Sequence, residues 1–160
     1  MNIFVLDKIP GIAARMQCDR HVVKMTLESA QMLSTAVNEL GGQATYKSAH
    51  VNHPCSVWVR KSLGNFLWLY DHGMALAAEY TRRYGKVHKS QAVIQECMYK
   101  ISPLPLYKLN RTPHPLCMPD EYKSDDAVES YRRFYIADKA GFAQWNKITP
   151  APPWWPAGGE

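Results

Sequence analysis

Within "CDRHVVKMTLESAQML", residues 18–33, His21, Lys24, Glu28 and Gln31 recur at spacings of three, four and three. At about 100° per residue, these four and Thr35 fall within an arc of roughly 80° on a helix. An imidazole, an amine, a carboxylate and an amide then stand in one row. Val23, Leu27, Ala30, Leu33 and Val37 occupy the opposite side, while Met25, Ser29, Met32 and Ala36 flank the row. A surface helix normally carries a broad polar face, whereas this row is narrow and set among apolar or small neighbours. As a solvated face it reduces to an i,i+4 ion pair between Lys24 and Glu28, worth about 0.2–0.5 kcal/mol. As the lining of a cleft it offers a carboxylate suited to general acid–base work or to stabilising a developing cation.

A second set of chemically capable residues lies in "HVNHPC", where His50 and His53 are three apart with Cys55 beyond, and in "CDRH", where Cys18 precedes His21 by three. Zinc favours such ligands. Two short pairs without a CxxC are a weak signal, however. His53-Pro54 also reads as the cap and first residue of a helix, so no metal site is expected.

The elements that must position these groups are helical. A short apolar run, residues 2–6, is a strand or an extended lead-in, broken by "DKIPG". A first helix is predicted over 19–40, with Asp19 as N-cap and the Gly41-Gly42 pair as its end. The segment 43–54 reads as a loop. A second helix is predicted over 56–84, with Gly64 and Gly73 inside it allowing close backbone approach, and a third over 90–100. Five prolines between 102 and 119 give an irregular connection. A last helix is predicted over 126–147, and Trp154 and Trp155 of the tail could dock on the body. The expected fold is mainly α: a single compact helical domain, residues 1–149, with long irregular Pro-rich connections and a Pro/Trp-rich tail over 150–160.

The composition fits that picture. A chain of 160 residues with 46% hydrophobic content can bury one core. No apolar run approaches a membrane span, and the start of the chain lacks the charged and apolar regions of a signal peptide. The four cysteines, Cys18, Cys55, Cys97 and Cys117, are expected to be free thiols in a reducing cytoplasm. A formal charge of +5 permits an anionic partner without demanding one. Arg82, Arg83, Lys86, His88 and Lys89 form a basic cluster that could follow a nucleic-acid backbone or simply face solvent near a helix C-terminus.

The order D-R-x-x-x-K-x-x-x-E-x-x-Q-x-L, then N-H-P, then an aromatic helix ending in E-x-x-R-R-x-G resembles the pyrimidine dimer DNA glycosylase (endonuclease V) superfamily. The matching residues are Asp19, Arg20, Lys24, Glu28, Gln31 and Leu33, then Asn52, His53, Pro54, Trp58, Tyr70 and Glu79, closed by Arg82, Arg83 and Gly85. The resemblance covers roughly residues 1 to 88. It implies an all-helical domain that binds duplex DNA and acts on a base without metal or cofactor. Phage members of that group use the N-terminal amine as nucleophile at the sugar C1′, assisted by a glutamate on the first long helix. Glu28 matches that glutamate by position. One departure concerns the amine. The phage enzymes expose a small residue after methionine removal, whereas here Asn2 follows Met1, and so large a side chain generally leaves Met1 in place. The nucleophile is then the Met1 amine, or Lys24, or absent.

Three functions follow. In a phage-type DNA base-excision enzyme, Glu28 handles protons or the cationic sugar, Lys24, Arg20 and Arg60 contact phosphates, and His21, Gln31, Asn52 and His53 line a base pocket, with Asp19 and Tyr70 alongside. In a DNA base-hypermodification transferase, an amine or amino acid is joined to an activated 5-hydroxymethyl pyrimidine. Glu28 or His21 would deprotonate the amine, and a cation would hold the leaving phosphate. In a non-enzymatic DNA-binding accessory protein, the polar row is a buried hydrogen-bonded network. The expected setting is cytoplasmic, in a bacterial host if phage-encoded, with DNA as partner and no membrane.

Overall fold

The computed structural model describes residues 1–156. Among them the regular structure is helical, with six α-helices, one 3-10 turn and no strand. The run 2–6 is extended without a partner strand, and Ile3 to Leu6 are buried in the core.

The first helix, α1 (Pro10–Met16), is not among the predicted helices; it starts within "DKIPG", the segment read as a break, and runs on to Met16. Pro10 at its first turn has the fixed φ a helix start needs and no N–H to leave unpaired. The cap of the long helix α2 (Asp19–Glu39) lies one position earlier than predicted. Cys18 is the N-cap, and Asp19 is the first helical residue, its charge at the positive end of the helix dipole. Gly41, with φ of 100°, turns the chain away beyond α2.

The predicted second helix is two helices, α3 (Pro54–Val59) and α4 (Leu63–Tyr84). Ser62 breaks them apart. Its backbone is extended, and its hydroxyl accepts the N–H of Asn65 at 3.0 Å as the N-cap of α4. Gly64 sits in the next turn because a Cβ there would meet the Leu109 carbonyl oxygen at 2.4 Å. The irregular connection thus runs directly over the start of α4, and Leu63 N–H donates to the Lys108 carbonyl. At Gly73 an added Cβ would lie 3.2 Å from Ser29 and Ile94, so that glycine lets α4 pack closely on α2 and on α5 (Gln91–Ile101).

The last helix, α6 (Ala127–Lys139), opens with Asp126 as N-cap and stops eight residues before its predicted end. The chain after it is captured by the start of α2. Gln144 carbonyl accepts the Asp19 N–H, and Asn146 N–H donates to Asp19 Oδ2 at 2.7 Å. The core is centred on α2, which packs against α3, α4 and α5, while α1 covers α4. Tyr131 and Tyr135 of α6 are fully buried in it. Trp154 and Trp155 dock around Tyr135, with ring centroids 6.2 and 6.1 Å away, and Trp154 Nε1–H points at the Met16 sulfur. The last four residues of the predicted 150–160 tail lie outside the described residues. Among the described residues no helix is long and apolar enough to cross a membrane.

Candidate active site

The polar row of α2 meets the start of the chain. The α-amine of Met1 lies 3.5 Å from Glu28 Oε1, and Lys24 Nζ lies 3.8 Å from Oε2. Asn2 N–H donates to Oε1 at 3.3 Å. Glu28 therefore stands between two amines of different character. The Met1 side chain is 2% exposed, so the exposure of that half-buried residue lies on its main chain, whereas the Lys24 side chain is 65% exposed. One amine is held by packing and the other swings in solvent.

Asn2 fixes the held amine. Its Oδ1 accepts the Ile3 N–H at 2.8 Å and lies 3.1 Å from the Tyr131 hydroxyl, whose one proton it shares with the nearer Pro115 carbonyl at 2.6 Å, and its Nδ2 donates to the Cys117 carbonyl at 3.0 Å. A side chain satisfied on both faces leaves the first residue little freedom. Sequence reasoning noticed Asn2 only for its size.

These groups line a cleft of about 170 Å³ with Phe4, His21, Met25, Phe134 and Lys139. Phe4 stacks on His21 with centroids 4.7 Å apart, and His21 Nδ1 is 2.7 Å from the Tyr135 hydroxyl. That hydroxyl already accepts the Cys18 N–H. With its oxygen engaged by that N–H, Tyr135 can donate its own proton to Nδ1, which puts the His21 proton on Nε2. Burial, with the nearby Lys139, Lys24 and Arg20 charges, pushes the His21 imidazole down to about 3. His21 is thus a neutral aromatic wall and a poor base at neutral pH, which weighs against its use in deprotonating an incoming amine. Phe134 and Lys139 are both on α6; Phe134 falls in the aromatic segment "YRRFY", residues 131–135, which is reminiscent of the superfamily that the first half of the chain resembles, whereas Lys139 carried no signal in the sequence. They reach the site only through the tertiary fold.

A larger cleft of about 570 Å³ adjoins at Lys24 and is lined by Asp19, Arg20, Val23, Tyr84, Phe142, Asn146 and Lys147 among others. Arg20 lies over the Phe142 ring at 4.8 Å. Beside Arg20 and Lys24 the helix exposes Val23 and Leu27, at 37% and 39%. These two residues were expected on the core side, opposite the polar row. Instead Glu28 and His21 are enclosed, at 8% and 4%, and the solvent strip holds cations beside aliphatic groups.

The other candidate residues are dispersed. Asp19 is buried with both carboxylate oxygens engaged. Oδ1 accepts from Arg83 Nη1 at 3.1 Å, and Oδ2 accepts the Asn146 N–H. Arg83, read as part of a surface cluster, is buried and bonds Glu79 as well as the Gln17 and Arg15 carbonyls. It clamps α4 to the junction of α1 and α2, while Arg82, Lys86 and Lys89 remain exposed. Gln31 is half-buried, and Asn52 is exposed on the loop before α3. Arg60 ends α3, with its Nη1 buried and unpartnered. Tyr70 sits on α4 beside Asp71 and Tyr99, outside the residues lining the Met1–Glu28 cleft. His53 caps α3, its Nδ1 accepting the Cys55 N–H at 3.1 Å. His50, by contrast, is exposed, with φ of 49°.

Comparison with known proteins places one description beside this geometry. A family model described as pyrimidine dimer DNA glycosylase matches residues 1–92. The match spans α1 to α4 and includes Met1, Lys24 and Glu28, but stops before Phe134 and Lys139. No curated protein and no solved structure matches the chain.

Proposed function

Because the chain belongs to the pyrimidine dimer DNA glycosylase family, we propose that it is a phage-type enzyme acting on a damaged or modified pyrimidine in duplex DNA, with the Met1 α-amine as nucleophile and Glu28 as its proton partner. The observation that carries this reading is the 3.5 Å separation of that amine from Glu28 Oε1 at an accessible cleft. An α-amine has the lowest unperturbed pKa of a protein's amines, and an amine attacks only in its neutral form.

In the reaction the amine lone pair bonds to C1′, and the electron pair of the C1′–base bond leaves with the base, which takes a proton from solvent. The new ammonium passes a proton to Glu28. The C1′–O4′ bond then opens with that proton delivered to O4′, leaving an iminium between Met1 and the sugar. A carboxylate within reach can next remove a C2′ proton, which expels the 3′ phosphate. Glycosylase and lyase steps would follow from one nucleophile. Arg20, Lys24, Lys139 and Lys147 supply positive charge along the two clefts, suited to phosphates.

Borohydride reduction on duplex DNA bearing a pyrimidine dimer or an abasic site should leave a covalent adduct, and peptide mapping should place it on Met1, not on Lys24. If no adduct forms and nucleoside mass analysis instead finds amine-substituted pyrimidines, the transferase reading replaces this one. Duplex binding with neither product would mark a passive binder.

A further inference from the structure

Directly behind Asn2, three donors that the proposed reaction does not use converge. A nitrogen of His53 and the sulfurs of Cys55 and Cys117 lie within 4.8 Å of one another, and the two sulfurs are 3.6 Å apart. Cys55 is buried in the first turn of α3, His53 is the cap of that helix, and Cys117 is half-buried at the end of the Pro-rich connection. The three residues come from two segments about sixty residues apart in the chain.

We propose that His53, Cys55 and Cys117 form a binding site for one thiophilic divalent cation of the zinc class, with a water in the fourth position. A tetrahedral ion with metal–sulfur bonds of about 2.3 Å holds its two sulfurs roughly 3.7–3.8 Å apart. The observed 3.6 Å is within about 0.2 Å of that spacing, and the His53 nitrogen lies within 4.8 Å of both sulfurs. Two thiolates and a neutral imidazole cancel the charge of a divalent ion, which makes a half-buried site electrically affordable. Softness selects zinc over calcium or magnesium, which take oxygen ligands. The half-exposed Cys117 gives the ion its way in.

The uptake balances simply. The cation displaces the Cys55 and Cys117 thiol protons, which leave to solvent, and no oxidant or reductant is involved. Three hydrogen-bonding contacts are exchanged. Cys55 gives up its contact with Asn2 Oδ1 at 3.8 Å, the two sulfurs give up the S–H···S contact between them, and His53 gives up the Cys55 N–H, whichever ring nitrogen turns to the metal. Asn2 keeps its bonds to Ile3 N–H and the Tyr131 hydroxyl. The bound ion would cross-link α3, inside the family match, to the connection whose Cys117 carbonyl holds Asn2. Its role is to pin the scaffold on which the Met1 amine rests, and it stands whether that amine reacts with DNA or not.

Cobalt(II) titration of the reduced, chelator-treated full-length protein tests this. One cobalt per chain should bind with a thiolate-to-cobalt charge-transfer band, zinc should displace it, and either ion should raise the melting temperature. Cys117→Ser should abolish the band. His53→Asn, which keeps an acceptor at the helix cap, should weaken binding roughly tenfold or more. Absence of a one-to-one complex, or a band unchanged in Cys117→Ser, overturns the site. So does finding that the two sulfurs form a disulfide on mild oxidation while the reduced protein takes up no cobalt.

Discussion

The backbone N–H of Asn2 and the carboxylate of Glu28 are joined at 3.3 Å across 26 residues of sequence, through the same oxygen that faces the Met1 amine. Glu28→Gln keeps an acceptor at that position but removes the charge and the proton-transfer capacity. It should therefore leave the melting temperature near that of the wild type and lower adduct formation on damaged DNA by about 10²- to 10⁴-fold. Wild-type rates of borohydride-trapped adduct in this variant would remove Glu28 from the chemistry.

Asn2→Leu is close in size and keeps Met1 in place, but it can make none of the bonds to Ile3, Tyr131 and Cys117. Unpairing these groups should cost about 1–3 kcal/mol of stability in urea unfolding. Adduct yield should fall further than stability alone accounts for at a temperature where the variant is folded, because the amine is no longer held beside Glu28. Equal adduct rates in folded Asn2→Leu would show that anchoring is irrelevant.

Arg20 and Lys24 frame the exposed strip of α2. If they meet phosphates, Arg20→Ala and Lys24→Ala should each reduce the slope of log K against log salt by about 0.9, with weakening that does not depend on the base sequence. Unchanged slopes for both would move the DNA to another face.

Three histidines, His21 and His72 buried and His114 half-buried, give the fold a pH dependence. Burial pushes His21 and His114 down to about 3 and His72 to about 4, against 6.5 when unfolded. Between pH 6.5 and 4 the unfolded chain binds more protons than the folded one, so stability falls as pH falls, by up to about 1.4 kcal/mol per unit for each histidine. His114 isolates one share of this. It stacks on Trp58 at 4.3 Å, and its Nδ1 is buried without a partner. His114→Phe should keep the stack, match or exceed wild-type stability at pH 7, and show a shallower decline toward pH 4 in urea midpoints.

The sequence carried the site's centre but not its surroundings. Spacing alone put His21, Lys24 and Glu28 on one row, and the resemblance singled out Glu28. The assignment of faces reversed in part, with Val23 and Leu27 exposed. A 3.6-residue period tells which residues share a side, not which side is buried, and α2 is enclosed by neighbours on most of its circumference. The break at Ser62 was present as a cap residue followed by Gly64, yet the apolar stripe continued past it. The early end of α6 was not readable, because Asp19 captures Asn146 from 127 residues away. For the same reason the bonds from Asn2 to Cys117 and Tyr131, at separations of 115 and 129, left no local mark.

The cleft takes its amine and carboxylate from residues 1 and 28, but Phe134 and Lys139 come from a helix beyond the stretch shared with the family. On the proposed mechanism, the reacting pair and part of the cleft wall are then written in different parts of the chain. A lineage could reshape that wall by altering α6 and the loop after it, leaving the amine and carboxylate untouched. Two proteins alike over their first ninety residues can then differ in target without differing in chemistry.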